Sequence, residues 1–220
     1  MSRAARKRPY RSIVRREHAA QTRKRILEAA DELFGVDGYI RTTIVRIAQR
    51  AGVATDTVYA AFGSKGRVLT ALLDMHLVHG ADVANELELP EAKAIRDEPD
   101  QRSQIRLYVR FHTDAVARIA RVYAIMRSAA EVDPEMSSIF VEMQSYRARN
   151  VDRIAVWIAK NGALRVPKKR AGQIIWALAS PELASMLREQ QRWSTQEYAE
   201  WLEEMLAFAL LPTPRTQRRI

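Results

Sequence analysis

Between residues 43 and 65 the chain sets hydroxyls, a carboxylate, a phenol and cations at helical spacing: Thr43, Arg46, Thr55, Asp56, Thr57, Tyr59 and Lys65. Thr55 can donate to or accept from a base edge, and Asp56 can accept from cytosine N4. Asp56 suits the positive first turn of a helix equally well, because a carboxylate is favoured there. Lys65 stands at a helix start, where its ammonium and the unpaired N–H groups of the first turn both favour a phosphate. Thr43 and the N–H groups behind it offer a second phosphate clamp. Arg46 points outward near the same surface, a place where an arginine also serves as plain solvated charge.

Two short helices must hold these groups. Ile44, Ile47, Ala48 and Ala51 fall at i, i+3, i+4 and i+7, one buried face, with Thr43 as the cap. Gly52 makes the turn. A second helix over about 54–60 turns Val58, Ala61 and Phe62 inward and leaves Thr55, Asp56, Tyr59 and Ala60 outward. Two helices hinged in this way lay the second into a major groove. Before them, Ile26, Leu27, Ala30, Leu33 and Phe34 share the face of a helix that begins near residue 19 and stops near Gly35–Gly38. After them, Ser64 caps a long helix over about 64–88.

Charge agrees with this placement. Residues 1–67 carry 15 Lys and Arg against 6 Asp and Glu, whereas the other 153 residues carry 21 against 20. A basic end on a neutral body suits a module that binds a polyanion, here double-stranded DNA. Segment 1–17 is Arg-rich and lacks apolar periodicity, so it is expected to be mobile without a partner. Its Arg6, Arg8 and Arg11 can lie in a minor groove, or the segment is a simple unstructured tail. The chain has no cysteine, which excludes disulfides, thiolate nucleophiles and Cys-type zinc sites. It has no uninterrupted apolar run of membrane-spanning length and no secretory signal. A cytoplasmic protein, nucleoid-associated when bound to DNA and without a membrane partner, is expected.

The rest reads as helix throughout. Pro90 and Pro99 mark a loop. Ile105 to Ile119 and Val122 to Ala129 give two helices. Asp133-Pro134 caps a helix that runs to Asn161-Gly162. Another starts near Ile174 and is restarted or kinked at Ser180-Pro181. Ser194 and Glu197 form a capping box for the last, which carries Tyr198, Trp201, Leu202, Met205 and Phe208. The fold class is all-α, with about nine helices. The division is a basic arm over 1–17, a helix-turn-helix domain over 18–66 and a helical body over 67–220.

The body shows no catalytic constellation, no Gly-rich phosphate loop and no cofactor motif, so no enzyme is expected. His76 and His79 lack a third metal ligand nearby in sequence. Tyr108, His112, Tyr123, Met126, Met143 and Trp157 can line a ligand cavity, and the same residues at helical spacing also make ordinary core. His112 and Asn150 are polar groups on otherwise apolar faces, and they point to a small, apolar, weakly polar or uncharged ligand. The last two helices are apolar enough to pack on a symmetry mate or to fill their own core.

Thr42-Thr43, Ile47-Ala48, Ala51-Gly52-Val53, Thr57-Val58-Tyr59, Phe62 and Ser64-Lys65 together resemble the signature of TetR (tetracycline-repressor-like) transcriptional regulators. Leu33-Phe34 and Gly38-Tyr39 match as well, and the resemblance covers about residues 20–75. Ser180-Pro181-Glu182, Trp193-Ser194 and Trp201-Leu202 look more loosely like the C-terminal domain of such regulators. The resemblance implies a homodimer, an N-terminal three-helix DNA-binding domain, and a C-terminal domain for ligand binding and dimerisation. It implies that Tyr59 contacts phosphate through its hydroxyl, that Lys65 binds phosphate and that Thr57 meets backbone or base. Two departures reduce the contact set. Ala60-Ala61 stands where the family often has a large polar or aromatic pair, and Gly63 stands where proline is common. The implied function is a regulator, a repressor by expectation, that binds a palindromic operator and is released by a small molecule. The alternative is a ligand-independent activator or architectural protein.

Overall fold

The computed structural model describes residues 7–77 and 86–212, with side chains from residue 15 onward except that of Glu86. Among the described residues there is no strand. Ten α-helices run in the order α1 (Lys7–Arg41), α2 (Ile44–Ala51), α3 (Thr55–Phe62), α4 (Lys65–Leu77), α5 (Pro90–Asp97), α6 (Gln101–Ala130), α7 (Pro134–Lys160), α8 (Lys168–Leu178), α9 (Pro181–Ser185) and α10 (Thr195–Leu210). A 3₁₀ turn, Glu86–Glu88, precedes α5, and a π turn, Met186–Gln190, continues α9. The all-α reading stands.

Two compact units divide the chain. One holds residues 1–74 and 124–139, the other residues 75–123 and 140–220. In the first, α1 buries Ile26, Leu27, Ala30 and Phe34. It breaks at Gly38, whose φ of 70° is a conformation that other residues rarely adopt. The Thr42 hydroxyl, fully buried, donates to the Gly38 carbonyl at 2.8 Å. Residues 7–17, expected to lack fixed structure, are helical. After Pro9 in the first turn, α1 holds no glycine or proline until Gly35, and good helix formers carry the turn pattern through.

Thr43 caps α2 by accepting the Arg46 N–H, and Ile44, Ile47, Ala48 and Ala51 are buried on its inner face. Gly52, at φ 66° and ψ 41°, closes the helix in the left-handed conformation. On α3, Val58 and Phe62 are buried, but Ala61, expected inside, is exposed. The i, i+4 pair alone defines the inner stripe there. Arg23 covers its edge by donating to the Ala61 carbonyl at 3.0 Å and lying over the Phe62 ring at 4.1 Å.

Two boundaries differ from expectation, those of α5 and α6, and a third falls on residues outside the description. The described part of α4 ends at Leu77, and residues 78–85 lie outside the described residues. The expected loop between Pro90 and Pro99 contains α5. Pro90 occupies its first turn, where the missing N–H costs nothing, and Ala92 and Ile95 are buried beneath it. The two helices expected between residues 105 and 129 are one 30-residue helix, since no residue there breaks the ladder. The second unit has its own apolar core, with Ile95, Ile105, Val109, Ile154, Ile158, Ile175, Leu202, Leu206 and Leu210 at its centre. Each such fully buried aliphatic contributes roughly 1.5–3 kcal/mol relative to exposure.

Candidate nucleic-acid interface and cavity

The first unit presents the outer face of α3. Tyr59 is 51% exposed. Asp56 is exposed in the first turn, and Thr55 and Thr57 are half-buried at its margin. The Gly52 hinge and the buried faces on either side leave these four groups as the polar surface of a short helix. Thr43 is exposed, but its hydroxyl oxygen is already engaged as the α2 cap.

The cations have firm internal partners. Arg46 donates to Asp37 Oδ2 at 2.7 Å and to the Arg41 carbonyl at 2.9 Å, tying the start of α2 to the end of α1. Lys65 donates through Nζ to the Tyr39 carbonyl at 2.9 Å and lies 3.9 Å from the centroid of its ring. Burial lowers the Lys65 pKa, opposed by the charge of Asp133. An ammonium has three donors, so this bond leaves two for a phosphate. Arg6 lies outside the described residues, as do the side chains of Arg8 and Arg11.

Tyr39 enters the sequence reading only through the resemblance, which does not show its bonding role. Its ring stacks on Phe34 with centroids 6.0 Å apart, and its hydroxyl donates to Asp133 Oδ2 at 2.7 Å. Burial and that carboxylate hold the phenol well above its ordinary pKa. The same bond holds the Asp133 carboxyl low, helped by N–H groups of Met136 and Glu135 at the start of α7. Beside it, the Ser64 hydroxyl donates to Glu135 Oε1 at 2.6 Å. Gly66 passes so near that an added Cβ would meet Met136 Sδ at 3.0 Å. The turn between α6 and α7 is therefore built into the packing of the end of α1 and the start of α4. Tyr39 and Asp133 are 94 residues apart, and no local pattern announces such a pair.

The second unit contains a cavity with about 570 Å³ of empty space, part of it continuous with solvent. Of the residues expected to line it, Tyr108, His112 and Asn150 do so. Tyr123, Met126, Met143 and Trp157 do not. The Tyr123 hydroxyl donates instead to Glu182. Met126 is fully buried in the first unit. Trp157 packs against the core, and Met143 is half-buried elsewhere. Most of the wall is aliphatic or aromatic, including Phe111, Val116, Ile119 and Ile154.

Arg147 also lines the cavity. Its two terminal nitrogens donate to the Trp176 carbonyl at 3.0 Å, and Nη1 reaches the Ala179 carbonyl at 3.2 Å. The guanidinium lies 4.7 Å from the Trp176 ring centroid. Its Nε and the Nε2 of His112 are buried and have no hydrogen-bond partner. Burial, reinforced by the Arg147 charge, pushes the His112 pKa down to about 3, so the imidazole is neutral. Tyr108 stacks on it at 5.8 Å. An arginine on a long helix reads as solvated surface, which is why the sequence hid it.

Among the described residues, no group of three or more His, Asp or Glu is placed to hold a metal. His79 lies outside them. No described helix is long and apolar enough to cross a membrane.

Residues 26–72 match the family described as bacterial regulatory proteins, tetR family. The regulator TtgR of Pseudomonas putida is 34% identical over 139 residues, which span 60% of this chain and 63% of that one. Among solved structures, the SmeT–triclosan complex aligns with a TM-score of 0.62 at 21% identity, over 88% of this chain and 93% of that one. NalD, the secondary repressor of the MexAB-OprM multidrug efflux pump in Pseudomonas aeruginosa, aligns with a TM-score of 0.58 at 22% identity, over 88% and 98%. The chain thus shares its fold with these solved structures, and its residues 26–72 match the helix-turn-helix segment of the bacterial regulatory proteins of the tetR family.

Proposed function

We propose that the chain is a repressor that binds a palindromic operator as a homodimer and leaves it when a small molecule occupies the cavity. The outward polar face of α3, held by the Gly52 hinge, is the observation that carries the DNA half of this reading. Thr55 and Asp56 read base edges, while Tyr59, Thr43 and Lys65 hold phosphates. Arg46 contributes charge while bracing α2. The basic residues of segment 1–17 add salt-dependent attraction.

Repression and release rest on relatives. NalD is named as a repressor, and SmeT was solved with triclosan. An apolar cavity edged by a few polar groups fits that kind of ligand. A ligand releases the operator only if it binds the DNA-incompetent state more tightly, since equal affinity for both states shifts nothing. No catalysis is assigned.

Selection of bound fragments from a random DNA pool tests this. A short inverted repeat, protected in footprints at two half-sites on one face of the duplex, is the expected result. Length-dependent coating without a preferred sequence would overturn it.

A further inference from the structure

The cavity has an unusual polar corner. Arg147 carries a full positive charge among apolar walls, and the partners of its terminal nitrogens are neutral backbone carbonyls. Among the described residues, no carboxylate forms an ion pair with it. Glu182 acts on it electrostatically, but the Glu182 carboxylate is engaged by the Tyr123 hydroxyl. A buried charge without a counter-charge is costly. The carbonyls of α8 offset part of that cost, because the negative end of the helix dipole lies there.

We infer that the cavity selects an apolar carboxylic acid, its carboxylate seated against Arg147 and His112 and its tail on the Phe111, Val116, Ile119 and Ile154 wall. This rests on the reading of the cavity as the ligand site. It keeps the apolar body of the ligand expected from sequence but replaces its uncharged or weakly polar character with an acidic head. The free Nε–H of Arg147 supplies a charge-assisted donor. His112, with its proton on Nε2, supplies a second. The imidazole is held neutral partly by Arg147 itself, so among the described residues the guanidinium is the one cation of the corner, and the carboxylate that acts on it, Glu182, is engaged by the Tyr123 hydroxyl. A cationic ligand would meet that guanidinium charge. A neutral apolar one would cover both donors without satisfying them.

The test is calorimetric titration of the full chain with octanoate, decanoate and 2-naphthoate, each beside its primary amide and the corresponding amine. At least one acid binds about tenfold or more tighter than its own amide, and each amine binds more weakly than the amide. The comparison needs no altered protein. Arg147→Gln should then abolish the acid's advantage while leaving amide binding in place, and Arg147→Lys should keep part of it. Should Arg147→Gln not fold, His112→Phe replaces it and narrows the gap. If amides match or exceed their acids, the acid inference is overturned and the ligand site stands. If acids, amines and amides all fail to bind, the inference and the ligand-site reading fall together.

Discussion

The two units treat polar groups in opposite ways. In the first, the groups that would meet a partner are on the outside, and two of its cations are already bonded: Arg46 to Asp37, Lys65 to the Tyr39 carbonyl. In the second, two polar atoms with no partner, Arg147 Nε and His112 Nε2, are buried at a cavity. A surface that reads a hydrated polyanion can leave its donors to water until the partner arrives. Among the mostly apolar walls of the cavity few groups can take up such donors, so a buried unsatisfied one there is a cost that a ligand relieves.

The largest effect should come from undermining the reading surface. Ile47 is fully buried on the inner face of α2, so Ile47→Ala should cost about 2–5 kcal/mol in denaturant unfolding and eliminate specific DNA binding. Retention of both would mean that the hinge does not depend on that face.

The cavity gives the next effect, through pH. His112 has an ordinary pKa of 6.5 and a folded value of about 3. Below 6.5 the unfolded chain binds a proton that the folded chain, with Arg147 facing the ring, refuses. Stability is thus full above pH 6.5 and falls as pH drops toward 3. Between pH 7 and pH 5 the loss from this group should be about 2 kcal/mol. His112→Phe should flatten that stretch of the profile, and an unchanged slope would show that the ring is not held neutral.

Lys65→Ala tests whether one residue belongs to both categories. Binding to all sequences should weaken alike, and the salt dependence should lose about one unit of slope. Thermal unfolding should fall by about 1 kcal/mol through the lost bond to Tyr39. A stability loss with the slope intact would make Lys65 a brace alone. Tyr39→Phe should cost about 1 kcal/mol or slightly more by stripping Asp133 of its donor, with the salt slope unchanged. The smallest stability change belongs to Thr55→Ala and Asp56→Ala, within about 0.5 kcal/mol, while the preferred sequence shifts. If the preference stays fixed in both variants, α3 does not read bases.

What the sequence made legible was local. Thr43 as cap, the i, i+3, i+4, i+7 face of α2, Gly52 and the Ser194–Glu197 box all act within one or two turns, and all are present. Proline was the ambiguous sign: Pro90 was read as a loop marker, yet it begins α5. The cavity was half legible for a related reason. Tyr108, His112 and Asn150 stood out as polar or amphipathic groups on apolar faces. Arg147 did not, because only the packing of α8 against α7 turns that arginine inward to carbonyls some 30 residues away.

The clasp around Tyr39 limits how this protein can be recombined with its relatives. A graft of residues 18–66 onto a foreign body would leave behind Asp133, Glu135 and Met136, three neighbours that the transplanted head relies on for its rear support. A working chimera must carry the α6–α7 turn with it, or find a recipient whose own turn offers a carboxylate to the same phenol.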